Sequence, residues 1–199
     1  MFSSHIHEYS KKNKTKNCTI TEVLEYGKSL IGVPYEWWVR GTIPQVAPMF
    51  AIDNPPPQRS EIRTCNCAGF VNLLLRFAGK KIPDHRTAGM GGTIAYWMVY
   101  EEQGVLEKFD IQSSKTYPEG TLLLRQYRNL TDQGHVAVLI NDIETQKQMV
   151  LHSITLLPYK DNSQEDRSKN LGINMKYTLE ESHDGEYYDA IVRPENWIL

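Results

Sequence analysis

The sequence predicts a single α+β domain, because apolar residues at helical spacing dominate its first half and short apolar runs of strand length dominate its second. With 199 residues, the chain is long enough for one domain with a sizeable core. Charged residues at 23% and hydrophobic residues at 40% are ordinary fractions for a globular protein. We therefore expect residues 18–199 to pack helices on an antiparallel sheet or partly open barrel, after a flexible arm over 1–17.

Three segments carry the helical spacing. The first covers 18–32, where Thr19 or Thr21 can cap the first turn, and the second is "NCAGFVNLLLRFAG" at 66–79. The third covers 93–103 and is expected to end near Gly104. The residues expected to share a face are Val23, Leu24, Leu30 and Ile31 in the first helix, and Val71, Leu74, Leu75 and Ala78 in the second.

Four short apolar runs predict the strands of the sheet. They cover 120–127, 135–142, 148–154 and 187–194, and polar segments separate them. Residues 41–62 contain five prolines and show no period. Because so long a loop inside a domain is usually functional or disordered, we expect it to form a wall or lid beside a site.

Composition narrows the classes of partner. The net charge is −2, and the one basic cluster, "KKNKTK" at 11–16, lies in the expected arm, so we expect neither a nucleic-acid nor an anionic-membrane partner. The sequence contains no apolar stretch of membrane-spanning length and no apolar signal core at its beginning. We thus expect the protein to be cytoplasmic or to reach its substrate without Sec export. Three cysteines favour a reducing compartment over a disulfide scaffold.

One cysteine and two histidines could together perform nucleophilic chemistry. Cys67 lies in the first turn of a predicted helix, where free N–H groups lower the pKa of a thiol. His135 begins one predicted strand and His152 lies in the next, and neighbouring antiparallel strands can place two side chains within hydrogen-bond reach. A nucleophilic thiol needs a base and a group that orients the base, and the fold assembles such triads over any sequence separation.

Six stretches in a fixed order resemble the NlpC/p60 superfamily of papain-like cysteine peptidases. They are "GVPYEWW", "NCAGF", "PEGTLLL", "GHVAVLIND", "VLHS" and "YYDAIVRP", and they lie between residues 32 and 194. The resemblance implies a papain-like fold, in which a helix bearing the nucleophile packs on the antiparallel sheet. It also implies hydrolysis of an amide bond through a thioacyl-enzyme, without a metal or an organic cofactor. The substrate would be a peptide or peptidoglycan fragment, most readily the stem peptides of bacterial cell walls.

Carried over residue by residue, the resemblance makes Cys67 the nucleophile, His135 the general base and His152 the residue that holds His135 in the right tautomer. The backbone N–H of Cys67 would help to stabilise the oxyanion. The residues expected on the substrate side are Tyr35, Trp37, Asn66, Arg86 and Gly134.

The departures from the family pattern affect the cleft more than the chemistry. Asn66 replaces the usual Asp before the nucleophile, Ala68 replaces Ser, and Thr121 replaces Asp. An alternative is therefore a papain-like protease or acyltransferase that acts on a protein outside the cell wall. A second alternative is a catalytically inactive binding module on the same fold.

Other readings of the same residues remain open from sequence. Cys67 could be a buried core thiol, since cysteine is among the most buried residue types. A zinc site of Cys65, Cys67 and histidines would lack the second ligand pair typical of structural zinc, and Cys65 is expected to be a bystander. His85 is the other candidate base, and His183 is expected in an exposed turn.

Overall fold

The structure is a computed structural model, which describes residues 18–36, 56–129, 132–154 and 171–199. The predicted arm over 1–17, Trp37 and the part of the proline-rich segment before residue 56 lie outside these ranges. The four helices of the described part are α1 (Ile20–Ser29), α2 (Cys67–Phe77), α3 (Thr93–Glu102) and α4 (Leu179–Glu186). The strands are β1 (Asp84–His85), β2 (Gly89–Met90), β3 (Glu107–Lys108), β4 (Leu122–Arg125), β5 (His135–Asp142), β6 (Lys147–Ile154), β7 (Gly172–Thr178) and β8 (Ala190–Val192).

Six strands form one antiparallel sheet in the order β3-β8-β4-β5-β6-β7, and β1 pairs with β2 in a separate hairpin. The edge strands β3 and β7 do not pair with each other in the described structure, so the sheet is open. The α+β class predicted from sequence is confirmed. Within the ranges given above, no helix has the length and apolarity needed to cross a membrane.

The helix α2 lies against one face of the sheet, on β5 and β6, and α1 packs on α2. Ten consecutive residues of α2 are buried, from Cys67 to Arg76, because the helix lies between the sheet and α1. A Cβ on Gly27 of α1 would stand 3.0 Å from Leu151 and 3.1 Å from Leu74, so this glycine allows the helix to approach closely. The core of this face holds Leu74, Val138 and Leu151.

The opposite face of the sheet has its own apolar cluster, which includes Leu139, Val150 and Leu179. The helix α4 contributes Leu179 and packs on β6 and β7. Both faces of the central strands are therefore covered. This explains why the sequence of β5 begins "HVAVLI" as a nearly continuous apolar run.

The three predicted helices and four predicted strands are present. The helices, β4 and β8 are shorter than predicted, β5 has the predicted limits, and β6 begins one residue earlier. Thr19 caps α1 through a reciprocal capping box with Glu22, as its position suggested. Ile31 was expected on the buried face but is 44% exposed, because α1 ends before it. The short strands β1, β2 and β3, the longer strand β7 and the helix α4 were not predicted. His183, expected in an exposed turn, lies in the last turn of α4 and is half-buried, with its ring centroid 4.6 Å from that of Phe109.

Candidate active site

The thiol of Cys67 lies at the start of α2, where the sequence analysis placed it. Asn66 is the N-cap, with an extended backbone and a side-chain oxygen that accepts from the N–H of Gly69 at 2.7 Å. The backbone N–H groups of Ala68 and Val136 are close enough to hydrogen-bond the thiol sulfur. Because Val136 directly follows His135, the first residues of β5 lie beside the helix start.

The segment that leads into α2 is fixed by two hydrogen bonds to Cys65. Its backbone N–H donates to the carbonyl of Pro34 at 2.9 Å, and its carbonyl accepts from the hydroxyl of Ser153 at 2.7 Å. Ser153 is the neighbour of His152 in β6, so this bond ties the approach to Cys67 to the strand that carries His152. The side chain of Cys65 is fully buried. The expectation that Cys65 is a bystander stays a prediction.

The two predicted histidines are in direct contact. Nε2 of His135 lies 3.2 Å from Nδ1 of His152, and the two rings meet edge to face. Both side chains are buried. The pairing of β6 with β7 is irregular between Val150 and His152, and a bulge of this kind re-aims the side chains beside it. The ring nitrogen of His135 that remains for Cys67 is Nδ1.

A buried ion pair that the sequence analysis missed lies beside His135. Arg125 is the partner of His135 in the β4–β5 register, and its Nη2 atom is 3.2 Å from Oε2 of Glu186. The same carboxylate oxygen is 4.0 Å from Nδ1 of His135. Arg125 also bonds Asp132 and the carbonyl of Gly134, so it braces the loop before β5.

Of the two residues in this ion pair, only Arg125 could have been recognised from the sequence. Arg125 ends the apolar run "LLLR", where a charge at a buried strand position calls for a partner. Glu186 lies in "ESHDGEYY", a polar stretch that gives no indication of burial, and yet the residue is 2% exposed.

Burial dominates the protonation of the enclosed site. It raises the pKa of Cys67 to about 11, an effect that the Glu186 charge reinforces and the Val136 N–H opposes. Burial also lowers the pKa of His135 and of His152 to about 3 each. In this closed arrangement the thiol and both rings are neutral near pH 7. The lowering of the thiol pKa expected from the helix start alone is therefore outweighed.

Tyr35 lies close enough to the site for its charges to act on it. Burial raises the pKa of its hydroxyl, and the charges of Cys67, Glu186 and Arg125 also act on it. Its expected place on the substrate side stays a prediction. Asn66 and Gly134, expected on the substrate side, have structural roles here. Asn66 caps α2, and Asn and Asp serve equally well in that position, which accounts for the departure from the family pattern.

Gly134 adopts a left-handed backbone with φ of +75°, and a Cβ there would lie 2.6 Å from the carbonyl oxygen of Arg125. Glycine is therefore needed to bring β5 in beside β4. Arg86 is exposed in the turn between β1 and β2, and no described contact links it to Cys67. His85 is not part of the site: its Nε2 atom lies 3.1 Å from Glu102 of α3.

The described residues contain no group of three or more His, Cys, Asp or Glu side chains that could hold a metal ion. No protein-family model matches the chain, and no curated protein matches it.

Proposed function

We propose that the protein is a papain-like cysteine peptidase or amidase of the NlpC/p60 type, with Cys67 as nucleophile, His135 as base and His152 as orienting residue. The observation that carries the proposal is the 3.2 Å contact between His135 and His152, at the strand end that lies beside the start of α2. One cysteine and two histidines, the residue types that serve this chemistry, come to this region from three separate elements.

The tautomers follow from the contact. For Nδ1 of His135 to take the Cys67 proton, Nε2 of His135 must carry a hydrogen and donate it to Nδ1 of His152. The proton of neutral His152 is then on Nε2, which is buried and has no hydrogen-bond partner in the described part of the chain. The buried N–H without an acceptor destabilises the fold. Its presence is explained if His152 holds His135 in the tautomer that works as a base.

The reaction would proceed in two halves. The Cys67 proton passes to Nδ1 of His135 while the sulfur attacks the amide carbonyl carbon, and the backbone N–H of Cys67 donates to the oxyanion. The carbon–nitrogen bond then breaks, His135 returns the proton to the leaving amine, and a thioester remains. Water deprotonated by His135 attacks the thioester and releases the acid and the free thiol. Because burial keeps the pair neutral, ionisation requires that water or polar groups of the substrate solvate the pair.

The resemblance favours peptidoglycan stem peptides as substrate, and a protein outside the cell wall is the alternative. Purified cell-wall sacculi distinguish the two, since only the first predicts soluble muropeptides released by the wild type and none by Cys67→Ala.

A non-catalytic binding module is the second candidate function. The observation that favours it is the raised pKa of a thiol that is only 7% exposed. Such a thiol would be an inert part of the core.

Alkylation of Cys67 against pH tests catalysis without knowledge of the substrate. We expect the wild-type rate, read at Cys67 by mass spectrometry, to remain high near pH 7 and to fall at least about tenfold in His135→Ala. His85→Ala is the matched control, because His85 is equally buried but pairs with Glu102 away from the site. A single alkaline ionisation that is the same in all three proteins would favour the binding module.

A further inference from the structure

We propose that Glu186 tunes the Cys67–His135 pair: its carboxylate, held by Arg125, stabilises the protonated His135 ring and so raises the proton affinity of the pair. The inference rests on the proposed function and adds a residue that neither the sequence motifs nor the resemblance supplied. It is carried by the position of Oε2 of Glu186, 3.2 Å from Nη2 of Arg125 and 4.0 Å from Nδ1 of His135.

The carboxylate is held by rigid structure. Glu186 is the last residue of α4, and Tyr187 after it turns the chain with a left-handed φ of 52°. The next residue, Tyr188, is buried, and its hydroxyl shares a hydrogen bond of 2.8 Å with Ser182 one turn back in α4. The helix end is thereby fixed on both sides of Glu186, and the carboxylate can be presented to His135 in one orientation.

Fold stability alone does not account for this ion pair. A buried pair of charges loses its solvation, so replacement by apolar residues of similar volume is often neutral or stabilising. Oε2 of Glu186 is buried; burial raises the pKa of this carboxyl, and the Arg125 guanidinium 3.2 Å away opposes that rise. The same oxygen is 4.0 Å from Nδ1 of His135, so the charge that Arg125 holds in place faces the His135 ring.

The negative charge of Glu186 shifts the ionisations of both Cys67 and His135 in the same direction. When the Cys67 proton moves to Nδ1 of His135, the imidazolium that forms faces the carboxylate at 4.0 Å and is stabilised by it. The same negative charge opposes the thiolate. Both ionisations of the coupled pair therefore shift upward in pH because of Glu186, and both should shift downward when the charge is removed.

Several other groups act on the same pair and stay unchanged in the test. They are His152 from β6, Arg125 from β4, Cys65 from the segment before α2, Tyr35 from the segment after α1, Tyr96 from α3 and Tyr188 from the segment after α4. Asp132, from the loop before β5, acts on Glu186.

The experiment compares the pH profile of Cys67 alkylation in the wild type, Glu186→Gln and Glu186→Asp. We expect Glu186→Gln to move both limbs of the profile down by about one pH unit or more, the shift usual for a charge within 4–6 Å. Glu186→Asp keeps the charge, so the limbs of its alkylation profile should stay within about half a pH unit of wild type, even if the overall alkylation rate changes. Glu180→Gln is the matched control, since it removes an exposed charge from the same helix.

The outcomes separate this inference from the proposed function. A wild-type profile that depends on His135, with unchanged limbs in Glu186→Gln, overturns the role of Glu186 and leaves the proposed function standing. A wild-type profile that ignores His135 overturns the proposed function itself. A purely structural Glu186 would reduce the melting temperature and the amplitude in both variants without moving the limbs.

Discussion

Replacement of Gly134 by alanine should destabilise the protein and disable His135 together. The left-handed backbone at φ of +75° costs an alanine about 1 kcal/mol. The new Cβ would also lie 2.6 Å from the carbonyl oxygen of Arg125 and 3.0 Å from the N–H nitrogen of Tyr127, so the β4–β5 pair must separate. Forced shifts of this kind cost about 1–3 kcal/mol, and we expect a total loss of about 3 kcal/mol.

Thermal and urea unfolding measure this loss. For a domain of this size, 1 kcal/mol corresponds to about 2–4 °C, so Gly134→Ala should melt about 6–12 °C lower. Gly104→Ala is the matched control, because Gly104 has φ of +68° but open space around its missing Cβ. It should lose only about 1 kcal/mol. Equal losses in the two variants would refute the reasoning, as would normal His135-dependent alkylation of Cys67 in Gly134→Ala.

Two further predictions concern the cap of α2 and the histidine pair. Asn66→Ala should lose about 1 kcal/mol of unfolding free energy and Asn66→Asp little, because aspartate caps as well as asparagine; a urea titration in which both lose the same amount contradicts the capping role. The buried His135 and His152 have pKa values lowered to about 3, below the value of about 6.5 in an unfolded chain, so the unfolded state binds protons first on acidification. Stability should fall as the pH falls from about 6.5 toward 3, and less so in the His135→Ala, His152→Ala double variant. Urea midpoints at pH 7 and 4.5 that drop equally in the two proteins would contradict this.

The parts of the fold that could be predicted from sequence are those with local periodicity. The apolar spacing of α1 and α2 and the apolar runs of β5 and β6 can be recognised from neighbouring residues alone, without knowledge of distant contacts. The contact between His135 and His152 was also predictable, because the two strands follow one another in the chain. The irregular pairing of β6 with β7 between Val150 and His152 was not predictable, because β7 itself was not predicted.

The missed elements share a physical cause. In α4, six of eight residues are Glu, His, Asp or Gly, so the helix shows no apolar stripe and its stability comes from a capping box and from packing. β7 contains polar residues such as Asn174. This side chain is buried, and its amide group donates a hydrogen bond to the carbonyl of Gly172, which compensates for its burial. Glu186 could not be assigned to the site because only tertiary structure brings it beside a residue about fifty positions earlier.

The position of β8 has a consequence for the order in which the sheet can form during synthesis. Residues 190–192 lie between β3 and β4, so these two strands have no backbone partner across that gap until the segment has been made. The helix that carries Glu186 comes just before it. A nascent chain that ends before Glu186 and β8 therefore cannot complete its sheet, and Arg125 has Asp132 as its acidic partner but not yet Glu186. Cys67, His135 and His152 are thus synthesised before the residue that we propose sets the proton affinity of the pair.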